Sequence, residues 1–147
     1  QAQRAAQQTL AEAGAEVAAR LQRTIYNCNG TENRPGTLVR KEGQAPVEDR
    51  QVNNCYDGIK ITHDFYSKVF GRNSLDNNGL PIIASVHYGK KENNAFWDGW
   101  NKHIVFGDGD HTYFDYFTDS LDVIAHELGH AFVQFSSPLE YKYQAGL

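Results

Sequence analysis

His126, Glu127 and His130 stand in the order His-Glu-Leu-Gly-His, and this spacing commits the chain to a chemistry. Residues four apart on a helix lie one above the other, so two imidazoles at these positions can converge on a single divalent cation. Glu127 sits one step around the helix, within reach of a water held at that cation. A zinc ion there lowers the pKa of the water toward neutrality, while the carboxylate takes its proton and can later pass one to a leaving amine. The chemistry so described is peptide-bond hydrolysis.

A helix has to carry the motif, and its neighbours supply one. Asp119 or Ser120 can cap it, and Leu121, Ile124, Leu128, Ala131 and Phe135 recur at three- and four-residue steps as a core-facing stripe. His126, His130 and Val133 fall on a different face. Pro138 ends the pattern, which predicts a helix of about 16 residues from Ser120 to Phe135. Gly129 inside it costs roughly 0.5–1 kcal/mol relative to Ala, which suggests close packing against backbone or a ligand.

Upstream, the periodicity changes several times. Leu10, Ala13, Val17 and Leu21 give residues 1–23 a narrow apolar stripe, so this stretch reads as a helical appendage. Ile25 to Asp49 holds turn formers and a short extended run at Gly36-Thr37-Leu38-Val39-Arg40, a hairpin and loop. Val52 to Phe70 has helical spacing interrupted by Gly58, with Gly71 as the stop. Asn73 to Gly79 is a polar turn, and Pro81 to Tyr88 a strand. Ala95-Phe96-Trp97 and His103-Ile104-Val105-Phe106 form two further strands around the Asp98-Gly99 turn. Gly107-Asp108-Gly109-Asp110 reads as a turn rather than an ion site. The sum is an α+β domain whose mixed sheet packs near the motif-bearing helix.

With 147 residues, 40% of them hydrophobic, the chain can build one core but not two. Its 14 Lys and Arg against 18 Asp and Glu give a formal charge of −4 without a basic block, which argues against nucleic acid as a partner. No apolar run approaches the roughly 18 residues a bilayer demands, so a soluble protein without a membrane partner is expected. Because the chain starts at Gln1, it is either processed or cut from something longer.

Cys28 and Cys55 lie among turn formers and read as a disulfide, which would contribute roughly 3 kcal/mol and imply an oxidising, extracellular setting. Two buried free thiols, or a structural zinc, are the alternatives. Asn29-Gly30-Thr31 is a glycosylation sequon in a surface turn. His63, His87, His103 and His111 have no paired spacing and read as structural or solvated residues rather than ligands.

Four ordered motifs carry a resemblance: Ser85-Val86-His87-Tyr88-Gly89, Asn93-Asn94-Ala95-Phe96-Trp97-Asp98-Gly99, Val105-Phe106-Gly107-Asp108-Gly109-Asp110 and Ser120-Leu121-Asp122-Val123-Ile124-Ala125-His126-Glu127-Leu128-Gly129-His130. Together they resemble the thermolysin family of zinc metallopeptidases. Pro35 to Arg40, Val52 to Gly58 and Asp64-Phe65-Tyr66 are similar to its protealysin-like branch. The resemblance runs from about Arg23 to Leu147, leaving residues 1–23 as an N-terminal extension or propeptide remnant and 24–147 as a zincin-like N-terminal catalytic domain. The family's second, all-α domain is not in this chain.

The resemblance implies zinc on His126 and His130, with Glu127 as general base. It places Asn94 and Ala95 on the edge segment that binds substrate backbone by β-augmentation. Phe114, Phe117 and Val123 match walls of the pocket for the residue after the scissile bond, so a bulky apolar side chain is expected there. Asp122 matches a calcium ligand whose usual partners would come from residues beyond this chain. By itself it reads as a first-turn carboxylate complementing the helix N-terminus.

One departure matters. The family's third protein ligand for zinc is a Glu about twenty residues after the second His, and Gly146-Leu147 stops about three residues short of it. Glu140 aligns with the loop after the helix and does not replace it. Two histidines without a third protein ligand should bind zinc weakly, so the chain alone is expected to be nearly inactive and to work with a second chain or segment carrying the rest. The competing expectation is a catalytically inactive truncated fold that binds peptide or protein through its sheet edge.

Overall fold

The computed structural model describes residues 2–8, 21–91, 94–109 and 121–136. Several expectations lie outside these residues: the Leu10, Ala13 and Val17 stripe, the caps Asp119 and Ser120, the pocket residues Phe114 and Phe117, Asp110, His111, Pro138 and Glu140. Residues 2–8 are helical (α1). The elements that follow are β1 (Arg23–Asn27), β2 (Thr37–Lys41), α2 (Arg50–Phe70), β3 (Ile82–Tyr88), β4 (Ala95–Asp98), β5 (His103–Gly107) and α3 (Leu121–Ser136).

Among the described residues the strands make one five-stranded sheet in the order β2-β1-β3-β5-β4. The β1–β2 and β4–β5 pairs are antiparallel, as short hairpin connections require, whereas β1–β3 and β3–β5 are parallel. Each parallel partner needs a crossover, and α2 supplies the one between β1–β2 and β3. Period-two alternation then sorts the side chains. Ile25, Ile82, Ala84, Val86, Trp97, Ile104 and Phe106 turn toward the helices and form the core with Val52, Cys55, Ile59, Ile124, Leu128, Ala131 and Phe132. Burying each large apolar side chain of that set stabilises the fold by about 1.5–3 kcal/mol.

The helix α2 starts two residues earlier than its apolar pattern because Asp49 caps it, accepting from the Gln51 N–H through Oδ1 at 3.0 Å. It ends at Gly71 in the left-handed region, whose N–H returns to the Ser67 carbonyl. Gly58 does not interrupt it. Instead that glycine faces α3, where an added Cβ would come within 2.5 Å of Ile124 Cδ1. The missing side chain is what lets the two helices approach.

On α3, Ile124, Glu127, Leu128, Ala131 and Phe132 are the buried residues, while Leu121 is exposed and Phe135 only half-buried. The core stripe is therefore rotated from the one expected. The reason is α2: Phe132 stacks on Tyr66 with ring centroids 3.7 Å apart, so α3 serves two neighbours, α2 and β4. Gly129 also departs from expectation, since a Cβ there would meet nothing within 4 Å.

Cys28 and Cys55 are free thiols, which corrects the expected disulfide. The sheet separates them. Cys55 lies in the core on α2, whereas the Cys28 thiol points to the Pro35 carbonyl, which also accepts from Ser85 Oγ on the opposite sheet face. Burial pushes both thiols above their ordinary range, so each behaves as a small hydrophobe. The expectation of an oxidising compartment loses this support.

Candidate metal and peptide site

The exposed side of α3 carries the two histidines of the motif. His126 Nε2 and His130 Nε2 stand 3.1 Å apart, with ring planes at 90° and centroids 4.7 Å apart. Two imidazole nitrogens on one tetrahedral zinc, each at 2.0–2.1 Å, stand about 3.3 Å apart. The pair is thus set as two ligands of a single ion would be. His130 is held below its ordinary pKa, first by burial and then by the neighbouring His126, which favours the neutral ring that a metal ligand requires. The donor set fits zinc.

Glu127 is buried, only 6% exposed. Burial raises its carboxyl to about 7, against the pull of the Trp97 backbone N–H, which donates to it. A carboxyl group poised near neutrality next to a histidine pair is suited to take a proton and to give one back. The same hydrogen bond ties α3 to β4.

Among the described residues that strand is the outermost of the sheet on its side, paired only with β5. Its position is fixed twice more. Trp97 Nε1 donates to Gln134 Oε1 at 2.6 Å, and Gln134 Nε2 donates to the Gly99 carbonyl at 3.3 Å, so α3 grips the β4–β5 turn. Asn94, exposed just before the strand, accepts from the Gly107 N–H at 2.8 Å, and Ala95 is the first strand residue. Among the described residues no strand pairs with the outer side of β4, so its Asn94–Ala95 end can receive another extended chain.

Val123 lies half-buried against the core on α3, and Asp122 stands exposed in the first turn, where its charge complements the helix N-terminus. Among the described residues no group of three or more His, Cys, Asp or Glu is gathered to hold a metal ion. Asn29 sits in the turn after β1 with a φ of 54°, its amide donating to the Asn27 carbonyl at 3.3 Å and its sequon partner Thr31 donating to Cys28 O at 2.7 Å.

Two contacts around the candidate site escape sequence reasoning. One is the Gln134 clamp, hinted at by a lone amide inside the apolar run Ala131 to Phe135. The other is His87, an unpaired histidine in sequence, which in the fold bridges Asp108 and Asp49. Asp108 is therefore engaged with His87. By contrast His63 and His103 are buried, each with Nε2 lacking a partner among the described residues.

Comparison with known proteins places this arrangement in context. A family model described as thermolysin metallopeptidase, catalytic domain, matches residues 5–134. Protease PrtS of Photorhabdus sp. (strain Az29) is 46% identical over 126 residues, covering 86% of this chain and 33% of that protein. An extracellular metalloprotease of Pectobacterium carotovorum subsp. carotovorum is 45% identical over 124 residues, covering 84% and 35%. Among solved structures, the precursor of protealysin, a metalloproteinase from Serratia proteamaculans, superposes with a TM-score of 0.78 at 45% identity, covering 82% of this chain and 37% of that one. The chain spans about a third of the length of the curated relatives it matches.

Proposed function

The chain belongs to the thermolysin family of metallopeptidases, and from that premise we propose that it supplies the zinc-holding, proton-transferring and peptide-receiving parts of a zinc endopeptidase. The observation that carries this reading is the 3.1 Å convergence of His126 Nε2 and His130 Nε2 one residue from a buried glutamate. Zinc held there would polarise the scissile carbonyl and make water nucleophilic near neutral pH. Glu127 takes the proton of the attacking water and returns it to the departing amine. The Trp97 N–H holds its carboxylate in place while β4 aligns the peptide backbone through Asn94 and Ala95.

The third zinc ligand comes from a second chain or segment, which also supplies the groups that stabilise the oxyanion. Val123, with Phe114 and Phe117 by their match to the family motif, supports a bulky apolar residue after the scissile bond. Calcium at Asp122 would draw its other ligands from outside this chain. Secretion is supported by the relative named an extracellular metalloprotease. No helix among the described residues is long and apolar enough to cross a membrane. Residues 1–23 are an extension or propeptide remnant ahead of the catalytic domain.

Adding the remaining segment and measuring zinc content and casein hydrolysis tests the proposal. A zinc-loaded complex should hydrolyse casein, and Glu127→Ala should abolish the activity while zinc stays bound. A loaded complex without Glu127-dependent hydrolysis refutes it.

A second reading is favoured by the edge position of β4 in the sheet: a non-catalytic module that binds peptide along β4. It expects peptide binding without zinc and unchanged by Glu127→Ala.

A further inference from the structure

His87, the penultimate residue of β3, has a conformation that side chains rarely adopt, with φ at 55°. The β3–β5 register shifts between Ser85 and Tyr88, so a bulge falls at this point. Such a bulge with a left-handed residue re-aims the side chain relative to strict alternation. The ring that results touches two acids. Its Nδ1 lies 2.7 and 2.9 Å from the two oxygens of Asp108, and its Nε2 lies 2.7 Å from Asp49 Oδ2. Ionised carboxylates only accept, so both ring nitrogens must carry protons, and the ring is an imidazolium.

The two acids belong to different elements. Asp49 is the N-cap of α2, whose other oxygen accepts from Gln51. Asp108 follows Gly107, and Gly107 is paired with Tyr88 and donates its N–H to the Asn94 carbonyl. One cation thus joins the end of β3, the start of α2 and the end of β5 that holds the entrance to β4. A neutral ring could donate to only one of the acids and would turn a lone pair on the other.

We infer that His87 is a positioning residue: its imidazolium, bridging Asp49 and Asp108, fixes the end of β5 and through Gly107 the Asn94–Ala95 segment on which a peptide pairs. The inference rests on the reading of β4 as the peptide-receiving edge. Asp108 and Asp49 are the described charged groups whose fields act on the ring, and their hydrogen bonds outweigh burial to raise it to about 9. A merely solvated histidine would titrate near 6.5.

The experiment uses the 147-residue chain without metal. Nitrogen-detected magnetic resonance of the His87 ring follows its protonation, and hydrogen-exchange protection of the Gly107 amide is compared with that of Ile59 in the middle of α2. Both ring nitrogens should be protonated at neutral pH and lose a proton only near pH 9. Above that pH, Gly107 protection should fall about tenfold relative to Ile59, as loss of a charged hydrogen bond predicts. Asp108→Asn should produce the same loss at neutral pH, Asp108→Glu should largely restore protection, and titrating the wild-type ring needs no variant to fold. A ring neutral at pH 7.5, or Gly107 protection lost only in step with Ile59, overturns the inference. In a parallel titration an apolar peptide should shift the Ala95 amide, about tenfold more weakly in Asp108→Asn. A wild-type Ala95 amide indifferent to peptide overturns the reading of β4 instead.

Discussion

Gly58 of α2 and Ile124 of α3 meet so closely that a methyl group on the glycine would stand 2.5 Å from Ile124 Cδ1. In an open helix interior, Gly→Ala stabilises by roughly 0.5–1 kcal/mol. Here the contact reverses the sign, because overpacking a core costs about 1–3 kcal/mol. Gly58→Ala should lower the unfolding free energy in urea, and Ile124→Val, which removes Cδ1, should recover part of the loss. A double-mutant cycle with no coupling between the two would show that the helices adjust freely.

Zinc should raise the thermal midpoint of the chain by mass action, since the folded state alone brings the two Nε2 atoms together. His126→Ala and His130→Ala should each remove the rise. With two protein ligands the affinity should be weak, so the shift should require zinc well above protein concentration in a calorimetric scan.

Glu127 is an acid whose folded pKa, about 7, lies above its ordinary value near 4.5. The folded metal-free chain therefore binds the extra proton, and stability falls as pH rises from about 4.5 to 7. Glu127→Gln should flatten that part of the curve and stabilise the protein at pH 8 by on the order of 1–2 kcal/mol. Chemical denaturation at pH 4.5 and pH 8 measures both arms. Equal effects of the substitution at the two pH values would contradict the burial argument.

The folded pKa of His87, about 9, is raised from an ordinary 6.5. Its stabilisation is complete below pH 6.5 and is lost as pH rises toward 9. The difference in stability between wild type and His87→Gln should shrink steadily over that interval. A constant difference would mean that the ring contributes by packing alone.

Free thiols at Cys28 and Cys55 predict indifference to reductant. The thermal midpoint should be the same with and without dithiothreitol, and a thiol reagent should titrate both cysteines only after denaturation. A drop in midpoint under reducing conditions would restore the disulfide.

Much of this architecture was legible because local patterns impose it. The helix Arg50–Phe70 follows from its apolar spacing and its Gly71 stop, and the Ala95–Asp98 and His103–Gly107 hairpin from alternating residues around Asp98-Gly99. The two cysteines were misread because turn residues around Cys28 and Cys55 say nothing about which side of a sheet each thiol faces. The stripe on α3 was misplaced for a similar reason. Periodicity names an apolar arc, but the partner, here Tyr66 against Phe132, selects which part of it is buried.

The sequence by itself determined the juxtaposition of His126, Glu127 and His130, because a four-residue step on any helix stacks two imidazoles and sets a carboxylate beside them. Only the tertiary structure decided what surrounds them. Chain segments far apart in sequence bring the Trp97 N–H to Glu127, Gln134 to the indole of Trp97, and Asp49 and Asp108 to opposite nitrogens of His87. Contacts of that kind leave no periodic trace, since they depend on sheet order and on a bulge at the end of β3 rather than on spacing along the chain.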